Sequence, residues 1–186
     1  MRLFVALTPP TAVLEELWTA TEPLRADRPE LRWTPPEQWH LTLVFLGEVD
    51  DRPREDLTER LARAAARHQP LELSLGGGGR FGDRVLWTRV RGEIDGLRRM
   101  AASVQAAARH ARLPVQARPY RPHLTLARSG ATATDLRPAV TELDEFAGRS
   151  WTAEELHLVR SRLGAGPGGT ARHEPIASWR LGRRET

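Results

Sequence analysis

An ungapped shift of 83 positions lays one half of this chain on the other: His40-Leu41-Thr42-Leu43 falls on His123-Leu124-Thr125-Leu126. Under the same shift Pro36 falls on Pro119, Leu14 on Leu97, Leu17 on Met100 and Phe4 on Trp87. A repeat of this kind constrains the fold more than any local propensity, because each copy must build the same supersecondary unit. In each half the pattern reads strand, helix, a short extended piece ending near a proline, a His-containing strand, another helix, then strand. Two such copies imply two lobes related by a pseudo-twofold axis.

Apolar periodicity fills in the elements. Helices are expected over Pro10–Ala26, Pro53–His68 and Glu93–Arg112, with Leu14 and Leu17, Leu57 and Leu61, and Leu97 and Met100 on their inner faces. Pro53 suits a first turn, where its missing N–H is not needed. Strands are expected over Arg2–Leu7, His40–Leu46, Leu71–Leu75, Val85–Val90, His123–Ala127, Glu155–Val159 and about Glu174–Leu181. Gly76-Gly77-Gly78-Gly79 reads as a link between halves or a turn needing positive φ. No Gly-Lys-Ser/Thr follows it, so it is not a phosphate-binding P-loop. The whole chain is expected to form a single domain over 1–186, with the first repeat about 1–76 and the second about 84–186, their lobes intertwined.

The formal charge of +4 sits beside a pI near 10.9 because all 28 basic side chains are arginine. Guanidinium forks suit phosphate recognition, although solvated surface arginines explain the same count. With no cysteine, disulfides and thiolate metal sites are excluded, which fits a reducing cytoplasm. No stretch is long and apolar enough for a membrane span, and the N-terminus lacks the apolar core of a signal peptide.

The repeated motif carries the chemistry. Successive strand residues alternate faces, so His40 and Thr42 share one face while Leu41, Leu43 and Phe45 take the other. His123 and Thr125 stand likewise against Leu124 and Leu126. A twofold axis that joins the polar faces makes a cleft with two imidazoles and two hydroxyls. One neutral imidazole can take a proton from water while an opposite imidazolium protonates the leaving oxygen. In-line displacement at phosphorus needs those groups on opposite sides, and the hydroxyls can donate to non-bridging oxygens. Arg128 has the wrong parity for this face in a regular strand; it reaches the cleft only past the strand end or at a bulge. The two histidines lack zinc-motif spacing and have no carboxylate beside them, so no metal site is expected. His68 and His110 are expected at helix C-termini, and His157 and His173 fit no comparable setting. Trp33, Trp39, Trp87, Trp151 and Trp179 read as core or rim packing; one of them, or Tyr120, is a candidate for stacking on a base.

Paired His-x-Thr-x motifs resemble those of the 2H phosphoesterase superfamily. Within it the chain is similar to the bacterial and archaeal RNA 2′,3′-cyclic phosphodiesterases, formerly called 2′-5′ RNA ligases. The resemblance extends from Arg2-Leu3-Phe4-Val5-Ala6-Leu7 through His40 to Val49 and Arg84-Val85-Leu86-Trp87. It continues from Arg118 to Arg128 and ends at Trp179-Arg180-Leu181. It implies an α+β fold, a bilobal pseudo-twofold duplication with two antiparallel β-sheets facing a central cleft and helices packed outside, and no cofactor. It also implies metal-independent hydrolysis of 2′,3′-cyclic phosphate RNA ends to 2′-phosphates, with His40 as proton donor and His123 as acceptor. It also implies that Thr42 and Thr125 hold the phosphate, and that Arg128 matches the arginine following the second motif. Where relatives often carry tyrosine before the last strand, this chain has His173. The expected partner is RNA with a 2′,3′-cyclic phosphate end, cyclic nucleotides being left open, and the expected state is a monomer. Reversible, ATP-independent 2′-5′ joining and a catalytically inactive RNA-binding module are the alternatives.

Overall fold

A computed structural model describes residues 1–182 of the chain. Among the described residues nine strands form two sheets, and every strand pairing is antiparallel. The first sheet joins β1 (Arg2–Leu7), β3 (Leu41–Glu48), β8 (Glu155–Arg162) and β9 (Arg172–Arg180) in the order β3-β1-β8-β9. The second joins β2 (Arg32–Trp33), β4 (Leu71–Phe81), β5 (Val85–Gly92), β6 (His123–Arg128) and β7 (Trp151–Ala153) in the order β2-β6-β5-β4-β7. Each sheet therefore takes strands from both halves of the sequence. The helices are α1 (Thr11–Ala20), α2 (Glu22–Asp27), α3 (Asp51–Arg67), α4 (Ile94–His110) and α5 (Arg137–Leu143). The α+β class with two antiparallel sheets is as expected.

Leucines supply the core. Leu41, Leu43, Leu124 and Leu126 are buried on the face of each His strand opposite its polar residues, together with Leu57 and Leu61 of α3 and Leu97 and Met100 of α4. Burying one such side chain contributes roughly 1.5–3 kcal/mol. In β1 both faces are covered: Leu3, Val5 and Leu7 join the main core, while Phe4 and Ala6 form a separate cluster with Val159. That second face belongs to the cleft.

Two expectations need correction. The single helix over Pro10–Ala26 is two helices that meet at the buried Thr21. Pro23, in the first turn of α2, has no N–H to continue the ladder, and the Thr21 hydroxyl instead bonds the Leu17 carbonyl at 2.8 Å. The four glycines are not a link between halves: Gly76 to Gly79 lie inside β4 and are buried. A Cβ at Gly79 would overlap the Trp87 ring, and one at Gly78 would meet Leu143 of α5 at 2.7 Å. These glycines admit close neighbours. Gly77, at φ 73, marks the register shift in the β4–β5 ladder.

Candidate active site

Both histidines stand at the entrance to their strands. His40, expected as the first residue of its strand, immediately precedes β3, and His123 opens β6. Each imidazole is held by the carbonyl two residues upstream, His123 Nδ1 by Arg121 at 2.6 Å and His40 by Gln38. A carbonyl only accepts, so His123 carries its proton on Nδ1 and presents Nε2 with a free lone pair. Gln38 and Arg121 are themselves 83 positions apart, so the anchoring repeats along with the motif. β3 and β6 approach each other across the molecule, and His123 is close enough to perturb His40 electrostatically.

The ladders explain how Arg128 reaches this face. In β6, Trp87 pairs with Thr125 but Leu86 with Ala127, so Leu126 is an extra residue and the strand bulges. Leu126 and Ala127 both point into the core, parity is reset, and the exposed Arg128 joins His123 and Thr125. A bulge re-aims side chains in this way. The first half repeats the device at Leu43, because Ala6 pairs with Thr42 and Val5 with Val44. Phe45 therefore lies on the cleft face, 62% exposed, and not on the core face that regular alternation assigns to it. It occupies the place that Arg128 fills in the other half.

The sheet register also corrects the repeat. Trp87 lies opposite Thr125, whereas the residue opposite Thr42 is Ala6 and not Phe4. The ungapped shift holds for the His strands and slips by two residues on their neighbours. Phe4 instead forms the bed of the first histidine, its ring stacked on His40 at 4.5 Å. His173 stands edge-on to both, with ring centroids 5.0 Å from Phe4 and 5.0 Å from His40. Around His123 the walls are Phe81, at 5.0 Å, and Trp87, at 5.6 Å. Trp87 is thus a cleft residue, while Trp39 and Trp151 are core and Trp33 and Trp179 pack against it. Tyr120 also packs against the core, its hydroxyl buried without a hydrogen-bond partner among the described residues. The sequence pattern missed Phe45 and Phe81 as cleft residues, and His173, noted only as a departure from the relatives, stands against His40; an aromatic just past the motif was the available signal for Phe45.

Electrostatics separates the two imidazoles. Burial, then the neighbouring His173, pushes His40 down to about 3, against the pull of the Gln38 carbonyl. Burial also lowers His123, with Arg128 adding to the shift and the Arg121 carbonyl opposing it. Both rings are therefore neutral at physiological pH until an anion enters, and a bound phosphate raises both affinities for protons. A cavity of about 560 Å³ is lined by Pro35, Gln38, Pro167 and His173 among others.

Comparison with known proteins decides the family. Residues 10–165 match the family model of the 2′-5′ RNA ligase superfamily. The chain belongs to that superfamily. It is 36% identical over 178 residues to the RNA 2′,3′-cyclic phosphodiesterase of Thermus thermophilus, covering 88% of this chain and 83% of that one. To the Escherichia coli RNA 2′,3′-cyclic phosphodiesterase it is 30% identical over 186 residues, covering 97% and 96%. Among solved structures, a protein of Thermus thermophilus superposes with a TM-score of 0.75 at 31% identity, covering 100% of both chains. E. coli LigT complexed with 3′-AMP gives 0.77 at 26% identity, covering 98% of each. Among the described residues of this superfamily member, no group of three or more His, Cys, Asp or Glu is placed to hold a metal, and no helix is long and apolar enough to cross a membrane.

Proposed function

We propose that the protein hydrolyses the 2′,3′-cyclic phosphate ends of RNA to 2′-phosphomonoesters. The observation that carries this reading is the pair of His-x-Thr strands on facing sheets, each imidazole anchored by the carbonyl two residues before it. The relatives named for this activity support it. His123, neutral with Nε2 free, takes a proton from water as the water oxygen bonds to phosphorus. The bond from phosphorus to the 3′ oxygen breaks, and His40 gives that oxygen its proton. The product holds a 2′-phosphate and a 3′-hydroxyl. His40 receives the proton it donates as the anionic phosphate enters and offsets the burial that otherwise keeps the ring neutral. Thr42 and Thr125 hold the non-bridging oxygens, and Arg128 adds a fixed charge where negative charge concentrates. Phe45 offers an exposed aromatic face to a nucleobase. The two imidazoles perform both proton transfers, so no metal takes part. The protein acts as a monomer in the cytoplasm.

The test is a short RNA ending in a 2′,3′-cyclic phosphate, incubated with excess chelator. The expected result is full activity and a 2′-phosphate end. Inhibition reversed only by added metal, or mainly 3′-phosphate ends, would overturn the reading, and binding without cleavage would indicate an inactive module.

A further inference from the structure

The cleft face of the first sheet continues beyond the two-histidine centre. Ala6 pairs with Thr42 on one side and with His157 on the other, and His157 pairs with Ser178 on β9. Thr42, Ala6, His157 and Ser178 therefore form one row across four strands, on the face shared with Phe4. With strands about 4.8 Å apart, His157 lies about 10 Å from Thr42 and Ser178 about 14 Å. His157 Nδ1 and Ser178 Oγ are 2.7 Å apart, and Glu155 Oε2 stands 3.9 Å from His157 Nε2. Arg180 lies two residues past Ser178, on the same face, paired in register with Glu155. Ser178 and Arg180 are both exposed.

We propose that His157, Ser178 and Arg180 form a second phosphate subsite, which takes the phosphodiester joining the terminal nucleotide to the one before it. This rests on the reading of the two-histidine centre, and it makes the protein selective for RNA ends over cyclic mononucleotides. With the Nδ1 proton donated to Oγ, the Ser178 hydroxyl proton is free for a phosphate oxygen, and the Arg180 guanidinium supplies a second donor with charge. Nε2 then carries a lone pair, 3.9 Å from the Glu155 carboxylate and with no proton to offer, so the hydroxyl and the guanidinium carry the contact. Side-chain reach at both ends brings Ser178 and Arg180 within one nucleotide step of a phosphate held at Thr42, on an open sheet face of the kind that carries single strands.

Three substrates separate this subsite from the catalytic centre: a 2′,3′-cyclic mononucleotide, a dinucleotide with the same end, and that dinucleotide with an uncharged methylphosphonate linkage. The native dinucleotide should show kcat/KM about tenfold above the mononucleotide, as expected for one charge-assisted hydrogen bond of roughly 1.5 kcal/mol or more. The methylphosphonate should fall back to the mononucleotide value. Ser178→Ala and Arg180→Gln should remove most of the dinucleotide advantage and leave mononucleotide hydrolysis within twofold. Equal rates on all three substrates, or equal loss on both native ones in the variants, would overturn the subsite while leaving the hydrolytic reading intact. If the unaltered protein cleaves neither native substrate, the hydrolytic reading fails. The subsite is then decided by whether Arg180→Gln selectively weakens binding of a 3′-phosphorylated dinucleotide relative to a 3′-phosphorylated mononucleotide.

Discussion

The two halves of the cleft share a frame but not a charge. Both histidines hang from the carbonyl two residues before them, and both strands bulge three residues after the histidine. The next cleft-facing residue is then Phe45 in one half and Arg128 in the other. His40 sits deep among Phe4 and His173, whereas His123 has Phe81 and Trp87 as walls and a guanidinium nearby. The duplicated geometry suits two proton transfers from opposite sides, and the divergence at one bulge position assigns charge to one side and an apolar surface to the other.

The largest expected effect comes from breaking the symmetric part. His40→Ala and His123→Ala should each lower turnover of a cyclic-phosphate RNA by roughly 10²–10⁴-fold. The double variant should be far less than multiplicatively worse, because one proton transfer has little to do without the other. Single-turnover rates on the three variants check this, and a near-native rate for His123→Ala would break the two-histidine scheme. The divergent position comes next. Arg128→Gln should lower kcat/KM by about 10–100-fold, in line with a hydrogen bond to a charged group worth roughly 1.5–3 kcal/mol. Phe45→Ala should raise KM a few-fold and leave kcat in place, the split expected of uniform binding. If the two substitutions moved the same parameter equally, the proposed division of labour between the halves would be wrong. Thr42→Ala and Thr125→Ala should each cost only about 5–10-fold in kcat, because each makes one hydroxyl contact to a charged oxygen and water takes over part of it, leaving a net loss of about 1 kcal/mol. Unequal losses at the two threonines would show that the phosphate sits nearer one half.

The division between shared frame and local divergence also sets what the sequence could reveal. The leucine-lined reverse face of the duplicated His-x-Thr motif follows from periodicity, because alternation in a strand is a strict geometric rule, while the two antiparallel sheets were implied by the resemblance that the motif carries. Alternation is also what failed. It placed Phe45 on the core face, and only the bulge at Leu43 turns it to the cleft. The same rule flagged Arg128 correctly as needing a bulge, since its motif context raised the question. Gly76 to Gly79 read as a link because glycine's usual role is conformational freedom, whereas here it makes room for Trp87 and α5. The contact of His173 with His40 joins β9 to the start of β3, a tertiary approach that leaves no local pattern.

The smallest effect separates the two imidazoles by stability, and it vanishes at neutral pH. His40 is depressed to about 3, whereas an unfolded histidine titrates near 6.5. Between those values the unfolded chain binds a proton that the folded chain refuses, so His40 favours folding above pH 6.5. That contribution is lost progressively as the pH falls toward 3. One such group adds at most about 1.4 kcal/mol per pH unit to the acid slope of the unfolding free energy. His123, His173, His157 and His68 are shifted in the same direction and add to it. His40→Asn should therefore flatten the slope of denaturant-measured stability between pH 6 and 4 and leave stability at pH 8 nearly unchanged. Inorganic phosphate, which favours the protonated rings, should stabilise the unaltered protein more at pH 5 than at pH 8, and should do so less in the variant. An unchanged acid slope in His40→Asn would mean that His40 is solvated and charges freely, and the contrast between a deep and a shallow histidine would then disappear.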